Sequence, residues 1–429
     1  MLIHEALEYL DLHINRRLTL ERIDGLSLGQ MEILLESIGN PQHDFPTIHI
    51  TGTNGKGSTA AMTTELLSAL GLTVGTYTSP HVSSITERIL INGEPINEEE
   101  FAENVAVLSL VEPHLDFSPS WFELVTAAAF RSFADTAVDV AVIEVGMLGR
   151  FDATNVSNPA VSVITNIGYD HTDGEEGWRR KLAWEKAGII RSEGILCLGE
   201  IDEDLEDIFM DESPKQTLHR NIDFSADVNE LAIDGRHLNL RTPHGLYEDI
   251  FLPLHGEHQG NNASIALAAA EAFIGTSLPL DVVQAGFQNV RLLGRFEVVA
   301  SNPLIILDGA HNPPGAEAAA KTLRNSFSVD GKLILILGMT KEKNTKWMLD
   351  CLEAEKADLV ICTEAASPRA MPSSELALEA EKICSDVRTE VQPKDALECA
   401  LGYAESTDLI MATGSLYVVG AIRDAYMSL

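Results

Sequence analysis

Apolar positions along this chain recur with two periods, and the alternation between them predicts most of its elements. Near the N-terminus, Ile3, Ala6, Leu7 and Leu10 share one helical face. Met31, Ile33, Leu34, Leu35 and Ile38 share another before Gly39-Asn40-Pro41 breaks the pattern. Short extended apolar runs follow at 45–50, 73–78, 140–143 and 161–167. Helical patterns at 60–70, 122–133 and 178–190 separate them, so strand and helix alternate in the manner of a doubly wound, mostly parallel sheet. Residues 215–255 show weaker alternation with a turn at Pro243-His244-Gly245, which predicts a small antiparallel hairpin region inserted at the sheet edge. An alanine-rich helix over 265–274 follows, and the first domain is expected to close near Arg291.

A second strand and helix series starts near Gly294, with buried strands expected at 304–307, 333–337, 359–362 and 409–412. These predict a smaller α/β domain of Rossmann-like type. The expected division is therefore 1–291 for a nucleotide-binding domain carrying N-terminal helices and the small β region, and 292–429 for the second domain. No GxGxxG sequence occurs in the second series, so nothing there points to a dinucleotide.

Between the strand ending at Ile50 and the helix from Ala60 lies TGTNGKGST, Thr51 to Thr59. Strand, glycine loop and helix together form a cradle for phosphate. Gly52, Gly55 and Gly57 let the backbone wrap an anion, the helix N-terminus directs free N–H groups at it, and Lys56 adds a mobile cation. Thr53, Asn54, Ser58 and Thr59 complete the loop, which is read as a binding site for a nucleoside triphosphate. Its lysine is usually followed at once by a Ser or Thr that binds magnesium. Here Gly57 stands in that place, so the metal needs a hydroxyl from elsewhere.

Three positions are candidates for such chemistry. Ser79 follows the strand at 73–78, and its hydroxyl is either an exposed turn group or a ligand at the carboxyl end of a sheet strand. Glu144 ends the buried run at 140–143, a position from which a carboxylate can hold magnesium directly or through water. Lys186 falls on the same helical face as Leu182 and Ile189 or Ile190. It either extends to water or is partly desolvated. In the second case its amine is held neutral and able to combine with carbon dioxide as a carbamate, which turns a cation into a metal ligand.

Composition narrows the partners. The 429 residues are 45% hydrophobic and 22% charged, too many for one ordinary core and typical of a soluble globular protein. Thirty basic against 65 acidic residues give a net charge of −35, which repels nucleic acid and anionic membranes and predicts neither as a partner. Acidic residues crowd 200–213, read as a solvated surface segment. The N-terminus shows no basic region followed by an apolar core, and the five cysteines have no paired CxxC spacing. Both features predict a cytoplasmic protein with reduced thiols.

Read together, LERIDGL (20–26), GNPQ (39–42), HITGTNGKGST, TSPH, ERILINGEPI (87–96), EVGMLGRFDATN, DHTD, EKAGII (185–190), HQGNNAS, GRFE (294–297), LDGAHNP (307–313), LGMTKEK (337–343) and TGSLYVVG (413–420) resemble the folylpolyglutamate synthase and dihydrofolate synthase family, within the Mur ligase superfamily. They occur in that family's order and cover nearly the whole chain. One position departs from the family's GxGGRxDATN pattern: Leu148 stands where a glycine is usual.

The resemblance implies an ATP-dependent ligase that joins L-glutamate to dihydropteroate, to a reduced folate, or to both, through an acyl phosphate, with two magnesium ions and a monomeric chain. It implies that Ser79, Glu144 and His171 hold metal and that Lys186 is carbamylated, with Lys56, His171 and Lys186 carrying the catalysis. Asn262, Arg295, Asp308 and His311 would contact the nucleotide between the two domains, which implies closure during the cycle. Phe122, Asp152 and Ala153 would meet the pterin, and Ser415 the glutamate. A Mur-type amide ligase for another acid, or a phosphate-loop ATPase whose second domain binds a partner, are the alternatives.

Overall fold

The computed structural model describes residues 1–14, 27–170, 172, 174–327 and 331–429. The stretch at 20–26 and His171 fall outside them. Strands β1 (Thr47–Thr51), β2 (Val74–Tyr77), β3 (Ile89–Ile91), β4 (Glu94–Pro95), β5 (Val140–Glu144), β6 (Val161–Ile164), β7 (Ile195–Leu198) and β8 (Gln216–His219) form one sheet in the order β4-β3-β2-β5-β1-β6-β7-β8. Pairing is parallel from β2 through β8, and β3 and β4 add an antiparallel edge. β1 and β5 are buried along their whole length, as expected of strands covered on both faces by helices.

The helix Lys56–Ala69 packs on one face of this sheet with the helices His258–Ile274 and Leu280–Asn289. The helix Trp121–Thr136 lies in the core of the other face with Glu98–Val111 and the N-terminal helices. Sequential alternation therefore produces the doubly wound sheet that the periodicity predicts.

Three sequence expectations change here. β8 belongs to the main sheet, and the antiparallel strands β9 (Ser225–Ala232), β10 (Gly235–Thr242) and β11 (Gly245–Leu252) form a sheet of their own rather than extending its edge. Leu238, Leu240, Tyr247 and Ile250 turn inward onto the helix His258–Ile274, which also begins earlier than the alanine pattern suggested and takes in His258 to Ser264. The acidic segment 200–213 is also only partly solvated. Leu205, Ile208 and Phe209 are buried beneath a short helix, and the Glu200 carboxylate accepts from the Ile167 N–H at 2.7 Å. Three buried apolar residues are enough to anchor a segment whose other positions are mostly charged.

The C-terminal sheet has the order β12 (Glu297–Ser301), β13 (Leu304–Leu307), β17 (Leu409–Thr413), β14 (Leu333–Leu337), β15 (Leu359–Cys362), β16 (Val387–Thr389). Only β12 runs antiparallel. The carboxyl ends of β13 and β17 open into Asp308–Asn312 and Gly414–Ser415, which places those segments where open α/β sheets bind ligands. Among the described residues no helix is long and apolar enough to cross a membrane.

Candidate active site

The Thr51–Thr59 loop joins β1 to the helix Lys56–Ala69. Gly55, at φ +83°, caps that helix, and a Cβ there would come 2.5 Å from the Asn262 side-chain oxygen. Glycine is therefore required both for the left-handed torsion and for the approach of Asn262. Gly57 faces Glu144, whose Oε2 would lie 3.4 Å from a Cβ at that position. A side chain after the lysine would therefore rest in ordinary contact with that carboxylate.

Lys56 Nζ donates to the carbonyls of Gly52 and Thr53, both at 3.2 Å. Lys186, delivered by the helix Trp178–Ala187, donates from Nζ to the same Gly52 carbonyl at 2.8 Å. Lys186 is buried, with 5% of its surface exposed, so it does not extend to water. Burial, followed by the Lys56 charge, lowers its amine from 10.5 to about 7.

Glu144, at the end of β5, accepts the Ser79 backbone N–H at 3.0 Å. Burial raises its pKa, while Lys56, the Ser79 N–H, Arg295 and Arg88 act in the opposite direction. Among the described residues no group of three or more His, Cys, Asp and Glu forms a metal site. Ser79 and Glu144 nevertheless supply one hydroxyl and one buried carboxylate facing a cationic loop. This oxygen set fits a hard divalent ion that retains waters. Of the two loop hydroxyls, Ser58 lines the cavity, whereas the Thr59 Oγ1 is buried without a hydrogen-bond partner.

A cavity of about 560 Å³ runs from this loop to the C-terminal sheet, and Ser79, Glu144, Lys186, Asn262, Arg295, Asp308 and His311 all line it. The Asp308 carboxylate accepts the N–H groups of Phe296 and Ala310, both at 3.0 Å. His311 Nδ1 lies 2.9 Å from the Gly309 carbonyl, and burial lowers its imidazole to about 4, so it is neutral at pH 7.

Phe122, Asp152, Ala153 and Ser415 do not line that cavity, whereas Leu148 does. Phe122 packs against Tyr77, with ring centroids 6.1 Å apart, and against Gly146. Asp152 caps the turn Ala153–Val156, accepting from Thr154 and from the Met147 N–H, so its carboxylate already has structural partners. Ala153 is buried beside it, and Ser415, also buried, precedes the helix Leu416–Met427. Leu148 adopts φ +62°, the left-handed region natural to glycine, and packs among Ile164, Leu182 and Leu198. Its carbonyl accepts the Thr51 hydroxyl at 2.6 Å.

Of the groups that join the two sheets, sequence reasoning singled out Asn54 and His311 but not Asn312, Asp170 or Lys343. Asn54 of the phosphate loop and Asn312 exchange amide hydrogen bonds of 2.9 and 3.2 Å. Asp170 meets Lys343 at 2.5 Å, Asn312 at 3.2 Å and His311 at 3.7 Å. These side chains lie in stretches already quoted, DHTD, LDGAHNP and LGMTKEK, but no spacing rule connects positions 173 residues apart.

Residues 50–270 match the Mur ligase middle domain, and residues 294–416 match the Mur ligase glutamate ligase domain. The chain is 38% identical to the dihydrofolate synthase/folylpolyglutamate synthase of Mycobacterium tuberculosis over 94% of its own length and 91% of that protein. The crystal structure of Mycobacterium tuberculosis folylpolyglutamate synthase complexed with ADP superposes with a TM-score of 0.91 at 36% identity, covering 99% of this chain and 98% of that one. The bifunctional enzyme from Yersinia pestis complexed with AMPPNP and a manganese ion superposes with a TM-score of 0.85 at 28% identity, covering 100% and 98%.

Proposed function

The chain belongs to the dihydrofolate synthase/folylpolyglutamate synthase family of Mur ligases and is an ATP-dependent carbon–nitrogen ligase adding L-glutamate to folates; we propose that it does so through an acyl phosphate formed in the cavity between its two sheets. The observation that carries this mechanism is the convergence of Lys56 and Lys186 on the Gly52 carbonyl, beside Glu144 and opposite Asp308 and His311. In the first step an oxygen of the acceptor carboxylate attacks the γ-phosphorus of ATP, and the bond to the ADP oxygen breaks. The neutral amine of glutamate then attacks the acyl carbon. Phosphate leaves, and the amine proton passes to solvent.

All the reacting groups are anionic until the amine enters. Lys56 and Arg295 would balance the phosphates, and Asn262, Asp308 and His311 would hold the nucleoside. Ser79 and Glu144, with His171 and a carbamylated Lys186, would hold two magnesium ions. Those ions supply Lewis-acid stabilisation of charge on the transferred phosphoryl group. Phe122, Asp152 and Ala153 would form the pterin side, and Ser415 the glutamate side. The catalytic unit is a monomer divided at 291/292, working in the cytoplasm on dihydropteroate or a reduced folate.

Phosphate release tests the reaction class. It should require ATP, a divalent metal, glutamate and either dihydropteroate or tetrahydrofolate, supplied side by side. Strong turnover indifferent to acceptor and glutamate would overturn the ligase mechanism in favour of a simple ATPase.

A further inference from the structure

Arg88 closes the turn Ile85–Arg88 and is buried, with 5% of its surface exposed. Its Nε donates to His81 Nδ1 at 2.9 Å, and its guanidinium carbon lies 4.8 Å from the centre of the Trp121 ring. Because its Nδ1 accepts this hydrogen bond, the His81 ring does not carry a proton on that nitrogen and offers Arg88 no negative charge. The adjacent carboxylate is committed elsewhere: Glu87 accepts the backbone N–H groups of Val82, Ser83 and Ser84. Among the described residues no carboxylate forms an ion pair with Arg88.

A guanidinium removed from water with only neutral partners, here His81 and the Tyr77 hydroxyl, is costly, and a ligand carboxylate would supply the missing charge. The surroundings of Arg88 indicate which ligand. On one side the Ser79 to His81 segment leads to Glu144, which accepts the Ser79 backbone N–H at 3.0 Å. On the other stand the rings of Trp121, Tyr77 and Phe122. An acceptor with a flat aromatic body and a terminal carboxylate matches this order, its rings along the aromatic side and its carboxylate directed toward the phosphate loop. The planar fork of arginine suits a carboxylate better than a lysine would.

We propose that Arg88 binds the reacting carboxylate of the acceptor, orienting one oxygen and leaving the other free to attack phosphorus. This assignment rests on the ligase mechanism above. It gives Arg88 a selective role: an acceptor whose carboxylate is replaced by a neutral amide leaves the guanidinium unpaired and should be rejected.

Binding of 7,8-dihydropteroate and of its carboxamide, each measured in the presence of AMPPNP and magnesium, tests it on the full chain. The wild type should prefer the acid by ~30-fold or more, and Arg88→Gln should reduce that preference to about 3-fold or less. AMPPNP affinity serves as the control for folding and should be unchanged. If Arg88→Gln loses AMPPNP binding, Arg88→Lys decides, since it keeps the charge but loses the fork and should retain only part of the preference. A wild-type preference preserved in the folded variant, or no preference in the wild type, overturns the assignment. A wild type that prefers the acid yet releases no phosphate with acceptor and glutamate would instead count against the ligase mechanism.

Discussion

Lys186 and Gly52 are joined by a 2.8 Å hydrogen bond from the lysine amine to the loop carbonyl, which ties the helix Trp178–Ala187 to the phosphate loop. The amine is buried beside Lys56 and has a pKa lowered to about 7, compared with 10.5 when solvated. It therefore becomes neutral, and open to carbamylation, as pH rises through about 7. A carbamate signal from ¹³C-bicarbonate should grow across that range and be missing in Lys186→Ala. That variant should lose at least ~10²-fold in kcat and regain part of it with a small carboxylic acid. The sign for stability is the same. The unfolded chain holds this proton more tightly, so the metal-free protein should gain stability from Lys186 between about 7 and 10.5.

Leu148 carries two opposing terms. Its φ of +62° costs about 1–2 kcal/mol relative to glycine. Removing a buried leucine side chain costs about 2–5 kcal/mol. Packing should win, so Leu148→Gly is expected to lower the melting temperature despite restoring the family's usual residue. Leu148→Ala loses the packing and keeps the strain, and should melt lower still. That order, with alanine below glycine, reverses the one seen at most helix or strand positions and can be read from two thermal scans.

Lys343 and Asp170 bridge the two sheets through a half-buried ion pair, reinforced by Asn312. Lys343→Met should leave Asp170 poorly compensated and shift the equilibrium away from the closed arrangement by about 2 kcal/mol, or roughly 30-fold. Small-angle scattering should report a larger radius of gyration, and kcat should fall while each sheet retains its own secondary structure. An unchanged scattering profile would remove this pair from any role in closure.

Glu65, on the helix Lys56–Ala69, is raised to about 6 by burial and then by Glu94, with Arg291 opposing. A carboxyl raised on folding contributes stability that is full below 4.5 and is lost as pH climbs through about 6. Glu65→Gln should accordingly raise the melting temperature at pH 7 and leave it nearly unchanged at pH 4. Equal gains at both values would mean that the charge of Glu65 is not the cause.

Much of this protein is written in its sequence at short range. The alternation of apolar runs and helical stripes yields the doubly wound sheet, because side-chain direction in strand and helix follows from backbone geometry alone. The stretch Thr51 to Thr59 carries its own phosphate cradle for the same reason, since strand, glycines and helix are contiguous. What the sequence left open is decided by packing. Two readings of Lys186 stood side by side until its burial under the loop selected one, and β8 joined the main sheet only through its pairing with β7. Asn54 meets Asn312, Asp170 meets Lys343, and among the described residues Arg88 forms no ion pair with a carboxylate, because of how distant segments close on one another. No periodicity encodes those pairings, for they depend on chain topology and the exclusion of water. A chain of residue letters therefore reveals which groups are chemically able, and the tertiary structure determines which of them meet.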